Sequence, residues 1–292
     1  MENKAVELVM APREPHYVGD GFRVHNFIPS GFRLDMVRMN PFIMMDYNSK
    51  FHFPPSDQPK GVGVHPHRGF ETVTIAYQGR VAHHDSAGGG GVIGQGDVQW
   101  MTAASGVLHK EYHEAEFSKQ GGLFQMVQLW VNLPAAVKMS PPKYQAITNV
   151  SMPKVQLPEN QGFIEVIAGE YLGEKGPANT FTPVHMLNAK LNDGGEAIFS
   201  FPAHYATCCL VVEGDITVNS KEHAPLDHFV LFEKTGDTFT LKANEDSIVL
   251  VLSGEPIEEP IAAYGPFVMN TREEIMQAFT DFNQGKFGHL ED

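Results

Sequence analysis

The chain has 292 residues, including 28 glycines and 20 prolines. That length favours two domains and can bury a sizeable core, and the supply of Gly and Pro suits many short strands joined by tight turns. Lys and Arg number 21 against 35 Asp and Glu, a net charge of −14, which argues against direct nucleic-acid binding because phosphate contacts need a basic face. No stretch approaches an apolar membrane span, and the first twenty residues contain no apolar run of signal-peptide length. Cys208 and Cys209 are adjacent, so a strand would point them to opposite faces and disfavour a disulfide. The expectation is a soluble cytoplasmic protein without membrane or nucleic-acid partners.

In chain order, a strand is expected at residues 5–10, a turn at Gly19-Asp20-Gly21, and a strand at 22–27. The apolar run 41–47 reads as a buried strand, with Met44 and Met45 as core residues rather than thioether ligands. Residues 48–61 read as a polar loop. Residues 71–77 are rich in Thr, Val and Ile, and 80–85 return after Gln78-Gly79, so a hairpin is expected there. His83 and His84 on its return strand face opposite ways and read as ordinary surface or core histidines. Gly88 to Gly91 lack the Lys-Ser/Thr of a phosphate loop. Strands follow at 92–93 and 97–102. A turn at 103–106 leads into the strand carrying His109 and Glu111, with His113 expected at the rim or behind that site. Residues 122–133 form a strong strand, 134–139 a helical turn, and the Pro-containing 140–160 a crossing between domains, so the division falls at 1–140 and 141–292.

The second half echoes the first. Ala206 to Gly214 parallels Glu71 to Gly79, and Lys234-Thr235-Gly236-Asp237 parallels Gly94-Gln95-Gly96-Asp97, each read as a strand–Gly–strand hairpin followed by a Gly-Asp turn. A duplicated barrel is implied. Ser200 to His204 stands where the first copy has its His-Pro-His run, and Ile248 to Leu250 is matched to His109–Glu111, so the second copy is expected to hold no metal. The chain should end in a helix opened by the capping box Thr271-Arg272-Glu273-Glu274. Ile275, Phe279 and Phe282 form its apolar stripe, and Gly285 stops it.

The chemistry concentrates between His65 and Glu111. His65 with His67, and His109 with Glu111, are each spaced i, i+2. On strands that spacing places both members of a pair on one face. If the two strands are neighbours in a small barrel, three imidazoles and a carboxylate converge on its interior and make a metal site. The donor types do not separate Fe, Ni, Mn, Co and Zn.

The runs HPHRGFETVT (65–74), GDVQWMTA (96–103), HKE (109–111) and QLWVNLP (128–134), with GDGF at 19–22 and GEPIEEPIAAYGPFVMNT at 254–271, resemble the pirin family of the cupin superfamily over nearly the whole chain. The resemblance implies an all-β fold of two tandem cupin-type (jelly-roll) barrels with a few short helices. It implies His65, His67, His109 and Glu111 as ligands of one iron, with Glu71 as a supporting group behind them. It also implies a flavonol (quercetin) dioxygenase that takes a small aromatic or enol-like substrate and O2, with Glu111 as the catalytic base. The alternative it implies is a non-enzymatic, redox-sensitive iron protein read by a partner protein, such as a transcriptional co-regulator.

Overall fold

The computed structural model describes residues 2–31 and 33–291. These form two compact units. One comprises Glu14–Asn149 with Ile257–Asp292, the other Met1–Arg13 with Val150–Pro256. The division is therefore not the linear one at 140/141. Each end of the chain joins the unit remote from it in sequence. Strand β1 (Val6–Met10) pairs antiparallel with 229–232, and the C-terminal helix packs Ile275 and Ala278 with Phe267, Met269 and Leu108.

The first unit contains β2 (His16–Val18), β3 (Phe22–Ile28), β4 (Phe42–Phe53), β5 (Gly61–His67), β6 (Phe70–Gln78), β7 (Val81–Asp85), β8 (Gly90–Ile93), β9 (Val98–Thr102), β10 (Val107–His113), β11 (Gly122–Asn132) and β12 (Lys143–Ile147). Helices α1 (Met36–Met39), α2 (Ala115–Gln120) and α3 (Arg272–Asn283) and a two-stranded sheet of Ala262–Tyr264 and Phe267–Met269 also belong to it. A seven-stranded sheet runs β12-β9-β6-β11-β4-β3-β2, and a four-stranded sheet runs β5-β10-β7-β8. Their inner faces meet in an apolar end made by Phe22, Val24, Phe53, Ala76, Val81, Ile93, Phe124 and Met126, drawn from both sheets. Burying each such large side chain contributes about 1.5–3 kcal/mol.

Two expectations change here. β4 runs on to Phe53, because residues 51–53 pair with 122–124 of β11 and Phe53 packs edge-on against Phe124; the loop is confined to 54–60. Strands β6 and β7 are not a hairpin. β6 pairs with β9 and β11, whereas β7 pairs with β8 and β10, so the turn at Gly79 is a corner between sheets. Gly79 has φ +80° and a Cβ there would meet the Phe124 ring at 2.6 Å, so only glycine turns this corner without strain. Residues 140–160 also do more than cross between units. β12 extends the large sheet beside β9.

The second unit repeats the plan. Its larger sheet orders strands Val6–Met10, Phe229–Phe232, Ala206–Glu213, Ser247–Gly254, Val184–Leu191, Gly162–Ala168 and Lys154–Gln156, and its smaller sheet Glu196–Ser200, Thr238–Ala243, Ile216–Val218 and Glu222–Ala224. Gly214 again turns a corner between sheets, because 206–213 and 216–218 belong to different ones. The strand that corresponds to β10 is Thr238–Ala243, which pairs with 196–200 and 216–218, and not the segment 248–250 matched to it from sequence. Phe199, Phe239 and Leu241 fill this interior with apolar groups. Among the described residues no group of metal-type ligands occurs in this unit, and the His204 side chain is 65% exposed beside Glu255. Cys208 and Cys209 are both buried, and neither is in a disulfide. Among the described residues no helix is long and apolar enough to cross a membrane.

Candidate metal centre

β5 and β10 are antiparallel neighbours with His109 opposite His65 and Val107 opposite His67. The register then slips, so that Glu111 faces Val62. Such a slip re-aims the side chains on either side of it. His65 is half-buried, while His67, His109 and Glu111 are buried. The three imidazole centroids lie 4.2, 4.7 and 4.8 Å apart. The donor atoms of His65, His67 and His109 lie within 4.8 Å of one another, and those of His83, His109 and Glu111 form a second such group that shares His109.

The hydrogen bonds set the tautomers. His65 Nδ1 donates to Gly63 O at 2.8 Å and His67 Nδ1 to Pro266 O at 3.4 Å, since a carbonyl can only accept. His83 Nε2 donates to Asp85 Oδ2 at 3.4 Å, which leaves its Nδ1 to accept from His109 Nδ1, also at 3.4 Å. In the neutral ring each of the three ligand candidates then has Nε2 as its acceptor. That of His109 is buried with no hydrogen-bond partner, an arrangement that costs free energy unless something else meets the lone pair. Burial first, and neighbouring imidazoles second, push His67 and His109 well below the ordinary histidine value. Neutral imidazoles with a free lone pair are what a metal requires, and a second partner on the other ring nitrogen is how protein sites hold them.

Glu111 is held on three sides. Thr74 Oγ1 donates to its Oε1 at 3.1 Å, Gln128 Nε2 to its Oε2 at 3.1 Å, and Gln99 Nε2 also to Oε1. Behind it Tyr144 stacks on His83, with centroids 5.2 Å apart, and reaches Gln99 Oε1. Burial pushes the Tyr144 phenol up to about 12, so it stays a neutral donor. The site opens into a cavity of about 350 Å³ whose walls include Val18, Phe22, Met44, Met126 and Trp130 together with His65, His67 and Glu111. Trp130 stacks on Phe70 at 4.2 Å and meets the edge of His67 at 5.2 Å.

Three sequence readings are corrected. His83 lies in the core, as one of its two readings had it, but not as an ordinary histidine, because it is grouped with His109 and Glu111; His84 does face outward, to the Tyr112 hydroxyl. Glu71 does not stand behind the ligands. Alternation along β6 puts Thr74 toward Glu111 and Glu71 on the opposite face, where it accepts from Thr102 Oγ1. His113 is neither rim nor support. It donates to Gly21 O at 2.8 Å within a cluster of Phe22, Phe53 and Phe124, and burial pushes it down to about 4. Thr74, Gln99 and Gln128 were missed as partners of Glu111. All three lie in the quoted motifs at positions whose alternation turns them inward, and that was the available signal.

Two β-barrels of one topology, of which the first carries an interior imidazole–carboxylate centre, define a bicupin. Residues 21–131 match the family described as Pirin and residues 186–288 match the Pirin C-terminal cupin domain. A Pseudomonas aeruginosa protein provisionally named quercetin 2,3-dioxygenase is 47% identical over 272 residues, which span 93% of this chain and 94% of that one. Human pirin is 36% identical over 293 residues, spanning 98% of this chain and 94% of its own. The crystal structure of a quercetin 2,3-dioxygenase from Acinetobacter baumannii superposes with a TM-score of 0.92 at 49% identity, covering 99% of both chains. The Escherichia coli pirin YhhW, solved with nickel(II), has a TM-score of 0.63 at 17% identity and shares the fold, covering 86% of this chain and 100% of that one. The chain belongs to the pirin family.

Proposed function

We propose that the protein is a cytoplasmic iron-dependent dioxygenase that opens a flavonol of the quercetin type with O2, and that His65, His67, His109 and Glu111 hold the metal. The observation that carries this reading is the coincidence of three converging imidazoles, one of them with an orphaned buried Nε2, and a triply anchored carboxylate at one end of an apolar-walled cavity. The relatives named for quercetin 2,3-dioxygenase support the substrate class.

Bound by these four side chains, iron would supply Lewis acidity and one-electron redox capacity toward O2. The residues do the rest. Thr74, Gln99 and Gln128 hold the Glu111 carboxylate in one orientation, so it can accept the proton of an acidic substrate hydroxyl without first reorganising. Trp130, Met44 and Met126 offer flat apolar surface to an aromatic substrate and exclude water from it. The cavity volume lies at the lower end of the range for small-ligand sites, roughly 300–1,000 Å³. An accessible, ligand-sized cavity at the centre favours catalysis over a purely redox-sensing role for a partner protein. The test is oxygen consumption by iron-loaded protein given quercetin, with apoprotein as control. No oxygen uptake above the control overturns the reading.

A further inference from the structure

The floor of the cavity carries a polar row that the metal site uses only in part. Gln99, Thr74, Gln128, Asp46 and Asn26 are successive register partners across β9, β6, β11, β4 and β3, so their side chains share one face. Gln99 donates to Thr74 at 3.0 Å, the Thr74 hydroxyl shares its one proton between Glu111 and Gln128 Oε1, the latter at 2.7 Å, and Asn26 donates to Asp46 Oδ1 at 2.8 Å. No hydrogen bond joins Gln128 to Asp46, and Asp46 Oδ2 accepts none among the described residues. Both side chains line the cavity. The break therefore opens onto the space a substrate would occupy, about one strand spacing, ~4.8 Å, beyond a residue that holds Glu111. Across the same two strands Trp130 stands opposite Met44 on one side of it and Met126 opposite Asn48 on the other.

A half-buried carboxylate on a largely apolar wall is costly unless something meets it. Burial raises the Asp46 carboxyl from its ordinary value, and the Asn26 hydrogen bond and, more weakly, nearby His16 oppose that. The free oxygen calls for a donor delivered into the cavity. A hydrocarbon ring cannot supply one, and a phenolic hydroxyl can.

We infer that Asp46 is a specificity-determining residue that accepts a hydrogen bond from a substrate hydroxyl remote from the reacting end, so that the site selects polyhydroxylated over otherwise bare flavonols. This rests on the flavonol reading above. Hydrogen bonds to charged groups are worth roughly 10–100-fold in affinity.

The experiment compares quercetin with 3-hydroxyflavone, which keeps the reacting hydroxyl and carbonyl and lacks every other hydroxyl. Binding to metal-loaded protein is followed by quenching of tryptophan fluorescence, since Trp130 lines the cavity, and turnover is followed separately. The wild type should prefer quercetin about 10–100-fold. Asp46→Ala should lose most of that preference through weaker quercetin binding and a raised KM, with 3-hydroxyflavone affinity, iron content and kcat per iron unchanged. Asp46→Asn, which keeps an acceptor for Asn26, should lose part of it and guards against misfolding of the alanine variant. Equal losses for both compounds in a folded, iron-loaded Asp46→Asn, or a preference that survives both substitutions, would overturn the role of Asp46 and leave the flavonol reading standing. So would a wild type that binds both compounds equally. A wild type that binds neither compound would overturn the flavonol reading itself, and the role of Asp46 with it.

Discussion

Arg68 donates from Nη1 to Asp281 Oδ2 at 2.9 Å, across 213 residues of sequence. The guanidinium belongs to the residue after His67, and the carboxylate to helix α3. Arg68 also donates from Nε to Ser105 O at 2.7 Å and lies over the Phe287 ring at 4.6 Å, while Ser86 Oγ donates to Phe287 O and Lys110 Nζ donates to Glu291 O at 2.7 Å. The C-terminal segment thus fastens the turns and strands that present the candidate ligands.

Asp281 is held well below the usual carboxylate range, chiefly by Lys286 and then by Arg68. The folded protein keeps it ionised at a pH where the unfolded chain binds a proton. Its stabilising contribution is complete above the ordinary carboxylate value, near 4, and fades as pH falls below it. Asp281→Asn should therefore flatten the loss of thermal stability between about pH 5 and 2 and lower stability at pH 7. Arg68→Met, which leaves that carboxylate without its buried partner, should cost about 3–5 kcal/mol in a denaturant titration.

Ligand substitutions should separate metal binding from chemistry. The double change His65→Ala with His109→Ala should reduce iron measured by elemental analysis to trace levels. Glu111→Gln keeps an oxygen donor and loses the basicity. It should retain substantial iron yet turn over quercetin at least about a hundredfold more slowly per bound iron. Equal rates per iron would remove the base role and leave the site intact.

His83→Ala should weaken iron binding by roughly 10–100-fold, because the other ring nitrogen of His109 loses its acceptor. Asp85→Asn should weaken it less, since the amide can still accept from His83. His84→Ala is the control. It removes only an outward hydrogen bond to Tyr112 and should leave iron affinity unchanged.

Burial pushes the Glu71 carboxyl up to about 7, against an ordinary 4.5. Between those values the folded chain holds a proton that the unfolded chain has released, so stability falls as pH rises through that window, by up to roughly 3 kcal/mol. Glu71→Gln removes the titration and keeps an acceptor for Thr102. It should be more stable than the wild type at pH 8 and similar to it near pH 5, read as melting temperature.

Lys138 is fully buried, with Nζ donating to Gly69 O at 2.6 Å, Asn132 Oδ1 at 2.7 Å and Val268 O at 3.0 Å. Three donors meet three acceptors, so Lys138→Met strands all three and should destabilise the protein by about 3 kcal/mol or more in the same titration.

Local rules carried much of this protein. The period of two in His65-Pro66-His67 and His109-Lys110-Glu111 places each pair on one strand face wherever that strand lies, and β5 and β10 obey it. The capping box at Thr271 and Glu274 closes in both directions as read, because its bonds span a single turn of chain. What sequence could not decide was which strand each strand would meet. β6 and β7 follow one another and still enter different sheets. That choice brings His83 to His109, places Thr74, Gln99 and Gln128 around Glu111, and turns Glu71 away. It also sends the first strand to pair with 229–232 and brings Asp281 to Arg68. Side-chain alternation is a property of one strand, whereas strand partners are selected by closing long loops onto a shared apolar face, and only the folded chain makes that selection.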